Sequence, residues 1–140
     1  MIAFDLVFGH RERARLRLSI LGYAHPEIAE PEGFDLLDVR LDVRAGSVTA
    51  EFAVQIHDFE LSELAEYLAE IVSGNGPARA LTFAGGILEL SFAPSRRGPV
   101  LLGVILKEVD DAPLRLEYLV TLEPHEIGKA AAALERLKDL

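Results

Sequence analysis

The sequence predicts an α+β fold: a mostly antiparallel β-sheet with two helices on one face. Most of the chain alternates apolar and polar residues with period two, and two stretches instead keep the period of an amphipathic helix. The alternating stretches are polar on one side, so one sheet face should meet water; strands covered on both faces read as continuous apolar runs. The stretch 51–61, which runs out of a strand into a helix, returns as 117–127: a Glu, an aromatic, Val, then Ile or Leu, a polar break and a helix. The order "strands, then helix" thus occurs twice, and the chain reads as a single domain, 1–140, with pseudo-repeats at 13–74 and 80–140.

Residues 2–8 are apolar and suit an edge strand, closed by a turn at 9–12. Leu16, Leu18 and Ile20 then alternate with Arg15, Arg17 and Ser19. Gly22 to Pro26 end this strand, and 24–35, with two prolines and several acids, reads as a loop. Leu37, Val39, Leu41 and Val43 alternate with Asp38, Arg40, Asp42 and Arg44; beyond the turn Ala45-Gly46-Ser47, Phe52, Val54 and Ile56 alternate with Glu51, Ala53 and Gln55. Two alternating runs around a short Gly turn form an antiparallel hairpin.

Asp58 has the chemistry of an N-cap. Leu61, Leu64, Leu68 and Ile71 follow on one stripe, predicting a helix over 59–72. Glu60, Glu63, Glu66 and Glu70 lie off that stripe, and Gly74-Asn75-Gly76-Pro77 stops the helix. In the second half Leu81 and Phe83 form a short strand and Gly85-Gly86 a turn. Leu88, Leu90 and Phe92 share one strand face, and 94–99 is a basic loop. Val100, Leu102, Val104 and Leu106 have Gly103 and Ile105 opposite; Leu114, Leu116, Tyr118, Val120 and Leu122 alternate with Arg115, Glu117, Leu119 and Thr121. Pro124 suits a first helical turn, and Ile127, Ala130, Ala131, Leu134 and Leu137 make the stripe of the closing helix. The expected core at the two strand–helix junctions is Phe52, Val54, Ile56, Leu61, Leu64 and Leu68, with Leu116, Tyr118, Val120, Ile127, Leu134 and Leu137.

The 140 residues are half hydrophobic, enough for a packed core and too apolar for disorder. No apolar run approaches a membrane span. The first residues lack the basic and apolar segments of a signal peptide, and there is no cysteine, so a reducing cytoplasm is the expected location. The net charge of −9 argues against nucleic acid or an anionic membrane as partner and permits a basic one. The four histidines, His10, His25, His57 and His125, do not pair at a metal-ligand spacing, no serine sits in a nucleophile elbow, and the glycine pairs lack the lysine and hydroxyl of a phosphate cradle. No catalytic residue, metal or cofactor is expected. Two surfaces remain as candidates for binding: the Glu60, Glu63, Glu66, Glu70 row, and a polar strand face with Arg15, Arg40 and Glu51. Interleaved signs on such a face also serve cross-strand pairing and solubility.

Several runs resemble one family. Leu18-Ser-Ile-Leu-Gly-Tyr23 with Pro26, Leu37 to Val43, Phe59 to Leu68, Leu81-Thr-Phe83 with Leu88 to Phe92, and Pro124 to Leu137 are similar, in order, to elements of the WapI-type immunity proteins. Where that family often has Trp, this chain has Phe34-Asp-Leu36 and Tyr67; where an acid and Pro commonly follow Leu-x-Phe, it has Ala84-Gly85-Gly86. The resemblance implies a non-enzymatic protein whose partner is a cognate toxin domain, blocked by covering its active site or substrate groove across roughly 800 Å² per partner. A small-molecule or protein-binding module of unknown ligand, a small molecule lying between the helices and the sheet, is the alternative, and an uncharacterised enzyme is a third reading. The sequence leaves the toxin and the oligomeric state open.

Overall fold

The structure, a computed structural model, describes residues 3–10, 13–24, 36–96, 98–108 and 113–139. Its elements run β1 (Phe4–Gly9), β2 (Ala14–Tyr23), β3 (Leu36–Ala45), β4 (Val48–His57), α1 (Asp58–Val72), β5 (Arg79–Phe83), β6 (Leu88–Ala93), β7 (Val100–Glu108), β8 (Leu114–Leu122) and α2 (Pro124–Leu134). The expected α+β pattern of antiparallel strands with two helices holds, and the strands divide into two four-stranded sheets, β1-β2-β3-β4 and β5-β6-β7-β8. Each is a meander in which sequential strands pair, and each is followed by one helix. The loop expected at 24–35, with His25 and Phe34, lies largely outside the described residues.

The hairpin around Gly46 and Ser47 forms in the register its alternation demands, with Asp42 opposite Glu51 and Arg40 opposite Ala53. Leu6, Phe8, Leu16, Leu18, Leu41, Ile56, Phe83, Leu90, Leu102 and Leu122 are buried on the inner faces. These residues and the buried sides of α1 and α2 belong to a single hydrophobic cluster. Phe8 of the first sheet meets Phe92 of the second edge to face, with ring centroids 6.1 Å apart.

The second sheet comes up against β1 and β2 through β8. Tyr118 Oη donates to the carbonyl of Arg15 at 2.9 Å, across 103 positions of sequence. Gly9 has φ +100°, and a Cβ there would stand 2.6 Å from Val120 Cγ1 and closer still to the Ala14 carbonyl. Only a glycine tolerates both the left-handed backbone and that approach.

Of the expected core, Ile56, Leu61, Leu64, Leu68, Val120, Ile127 and Leu134 are buried; Phe52, Val54, Leu116, Tyr118 and Leu137 are half-buried against the cluster. Tyr67, absent from that expectation, is the largest fully buried side chain among the described residues. It meets Phe92 edge to face at 5.4 Å, donates its hydroxyl to the Pro77 carbonyl, and lies under the Arg79 guanidinium. A phenol suits this site because its ring can be buried while its hydroxyl finds a carbonyl. Two boundaries differ from expectation. Asp58 is the first helical residue and His57 the N-cap, and the closing helix leaves α geometry at Leu134, continuing as a 3-10 turn over Glu135–Asp139.

Leu64 and Leu134 are buried with relative exposures of 0% and 2%. Truncating either to Ala should cost about 2–5 kcal/mol in denaturant unfolding; two unchanged midpoints would refute helix-on-sheet packing. Burial pushes the Tyr118 phenol above its ordinary value of 10.0, against the opposing pull of Arg15. Unfolded tyrosines ionise near pH 10 whereas folded Tyr118 stays neutral, so the contribution of this group to stability should be constant below that pH and fall as pH rises beyond it. Tyr118→Phe should reduce that alkaline slope, and a slope equal to the parent's would refute the role of this hydroxyl.

Candidate partner-binding site

Helix α1 presents its apolar side to the core through Leu61, Leu64, Tyr67 and Leu68. The 3.6-residue period then turns Glu63, Glu66 and Glu70 outward, and all three are exposed. Glu60 behaves differently from its sequence neighbours. It is half-buried, and its Oε2 accepts the backbone N–H of His57 at 2.9 Å. Glu126 does the same at the start of α2, accepting the N–H of Glu123 at 3.1 Å. A carboxylate three residues into a helix satisfies an N–H at the cap and complements the positive end of the helix dipole. Glu60 is therefore engaged in the fold, and the outward acidic row is Glu63, Glu66 and Glu70. No basic side chain occupies the last turn of α1 to balance them. Phe59, 52% exposed, stands at the N-terminal end of this helix and stacks on the His57 ring at 5.1 Å.

The polar strand face is the outer side of β2, β3 and β4. Its charges largely neutralise one another. Arg17 donates to Asp42 Oδ2 through Nη2 at 2.8 Å and Nε at 3.1 Å. Asp42 holds the Arg17 guanidinium above its ordinary value, chiefly through these hydrogen bonds. Arg40 Nε lies 3.5 Å from Glu51 Oε1 and 3.8 Å from Asp42 Oδ2. The register aligns Arg17, Asp42 and Glu51 in one cross-strand row. So two of the expected binding residues, Arg40 and Glu51, are brought together, with Arg17 and Asp42 completing the network. Arg15 stands apart: its cross-strand neighbour is Arg44, and neither has an ion-pair partner among the described residues.

The outer face of the second sheet is of a different kind. Leu101 and Leu119 occupy outward positions there and are 42% and 66% exposed. The sequence pattern does not single them out, because they sit in the polar register of their strands; the signal is an apolar residue where alternation calls for a polar one. A cleft of about 500 Å³ opens between the end of α1, the segment before β7 and the start of α2, lined by Ile71, Val72, Val100, Ile127 and Gly128 with Arg96.

Among the described residues there is no group of three or more His, Asp or Glu that could hold a metal ion, and no helix long and apolar enough to cross a membrane. No curated protein and no solved structure matches the chain. The sequence model of the Immunity protein WapI-like family matches residues 7–138, from β1 to the 3-10 turn after α2. With that match running through both sheets and both helices, the chain belongs to the Immunity protein WapI-like family.

Proposed function

We propose that this protein is a non-enzymatic cytoplasmic inhibitor that binds a cognate toxin domain and blocks it sterically, docking through the exposed face of α1. The carrying observation is the acidic row Glu63, Glu66 and Glu70, unbalanced by any basic residue in the helix's last turn, on a chain of net charge −9. A single-sign row contributes little to folding, because like charges three and four residues apart repel. It contributes to association by attracting a basic partner and orienting its approach. Phe59 beside the row supplies the aromatic contact that charge lacks, since interface energy concentrates in a few large side chains that lose their water. The strand face around Arg40 and Glu51 is the weaker candidate. Its ion pairs would have to be broken or desolvated intact, and a desolvated pair contributes little net free energy.

A small-molecule binding module is the second reading, favoured by the cleft at Ile71, Val72 and Ile127. Gly128 faces open space there: a Cβ added to it would meet nothing within 4 Å.

Replacing Glu63 and Glu66 by Gln should leave thermal stability equal or slightly higher. The same change should slow association with the toxin at low salt, reduce the dependence of the rate on ionic strength and raise the concentration needed for inhibition. An unchanged rate at low salt would remove α1 as the docking face. Gly128→Phe should fold and retain full toxin inhibition; loss of inhibition by this cleft-filling variant would move the activity to the cleft.

A further inference from the structure

The outer face of the first sheet holds its charges unevenly. Toward the middle, Asp42 and Glu51 lie within ion-pair distance of Arg17 and Arg40. The row at the Gly46 hairpin end has no carboxylate. It reads Gly9, Arg15, Arg44 and Thr49 across the four strands. The alternation of β2 and β3 turns Arg15 and Arg44 to the same side as Arg17 and Asp42, and both are half-buried. Arg13, exposed, adjoins the row, since its carbonyl accepts the Gly46 N–H at 3.1 Å.

This placement works against folding. Cross-strand neighbours stand about 5 Å apart at Cβ, so two like charges there repel. The chain carries 23 acidic residues, yet none is set opposite either arginine. The carboxylate of the next row, Asp42, lies with Arg17 and Arg40. A second observation is independent of the register. Nε of Arg15 and Nε of Arg44 are each enclosed by the protein, with no hydrogen-bond partner among the described residues. Arg40 Nε is enclosed too, but it has carboxylate oxygens at 3.5 and 3.8 Å. An enclosed charged donor left unpaired costs free energy. Two of them side by side break the local consistency of the strand, and such breaks fall at binding sites.

We infer that Arg15 and Arg44, with the Thr49 hydroxyl, bind a small phosphate dianion, either inorganic phosphate or the phosphate of a small phosphomonoester. A guanidinium is a planar fork of donors, and one dianion can accept from both forks, cancel both charges and remove their repulsion. A monocarboxylate has the charge for one arginine and leaves the other uncompensated. Thr49 is exposed in the same row and adds a neutral donor. A nucleic-acid strand needs cations along a track, whereas the next row offers Asp42 and Glu51. On the β1 side, Glu126 and Lys129 of α2 border Gly9 and offset each other in charge. The net charge of −9 opposes an anion at long range, but salt screens that field beyond about 8 Å. Affinity is therefore set within the row, with a dissociation constant on the order of 0.1–1 mM.

Calorimetric titration of the full chain with sodium phosphate, slightly above neutral pH, tests this against sodium acetate at matched ionic strength. Phosphate should bind saturably at one site and acetate should not. Arg15→Gln and Arg44→Gln should each weaken phosphate binding at least about tenfold. Arg44→Lys keeps the charge but loses the fork, and should weaken it by about threefold or more. Arg136→Gln, which removes an exposed charge beyond α2, should leave it unchanged. In phosphate-free buffer Arg44→Gln should melt at the same or a higher temperature, since the like-charge pair is gone, and added phosphate should raise the melting temperature of the parent and not of this variant. Tighter binding of O-phosphoserine than of inorganic phosphate would assign the site to an organic phosphate; equal or weaker binding would assign it to the free ion. Absence of saturable phosphate binding overturns the proposal, as does binding that Arg15→Gln and Arg44→Gln both leave intact, or acetate binding as tightly as phosphate. No toxin takes part in this measurement, so the docking proposal for α1 stands or falls separately.

Discussion

Neither four-stranded sheet can bury its apolar face alone. A meander of alternating strands has one side for water and one side that must be covered, and here each sheet relies on the other and on the two helices. The inner rows of both sheets and the buried stripes of α1 and α2 join one hydrophobic cluster. This shared burial ties β8 to β1 and β2, aligns Tyr118 with the Arg15 carbonyl and brings Val120 close enough to Gly9 to exclude a side chain there. The elements are local, but the force holding them is not: Phe8 meets Phe92, and Tyr67 meets the same ring, only when the two halves of the chain close on each other.

Three of the outward surfaces among the described residues differ in their electrostatics. On the outer face of the first sheet, Asp42 sits beside both Arg17 and Arg40, so much of its charge is neutralised within the molecule. The α1 face projects carboxylates with no compensating cation in its last turn. The outer face of the second sheet carries leucines around a glycine. A protein that blocks another by covering it has no need of converging catalytic groups. On the docking reading proposed above, what is needed is a packed platform and a surface whose charge suits the partner, and a two-sheet core is compatible with both.

Much of this is legible from residue order. The alternation of Leu37, Val39, Leu41 and Val43 with Asp38, Arg40, Asp42 and Arg44 sets a two-sided strand, and the short turn at Gly46 fixes its pairing with β4. The stripe of Leu61, Leu64 and Leu68 fixes the inner side of α1 and hence the outward position of Glu63, Glu66 and Glu70. Such periodicities are properties of the backbone and need no distant neighbour. The N-cap falls one residue before its expected place. Asp58 has the side-chain chemistry of a cap, but it is the first residue of the helix, and the Glu60 carboxylate reaches back to accept the N–H of His57, the residue at the N-cap.

Residue order by itself determined the number and sequence of strands and helices, which side of each is apolar, and the acidic row on α1, because each follows from short-range geometry. Tertiary structure alone decided that eight strands form two sheets and not one, since pairing stops at β4 and resumes at β5 with a helix between, and alternation is blind to where a sheet ends. It decided that Tyr67 is a core residue, because its hydroxyl finds the Pro77 carbonyl only after the chain turns past α1. It decided too which charges stand together, because cross-strand neighbours follow from register: among the described residues Arg40 lies within ion-pair distance of Glu51 and Asp42, whereas Arg15 faces Arg44.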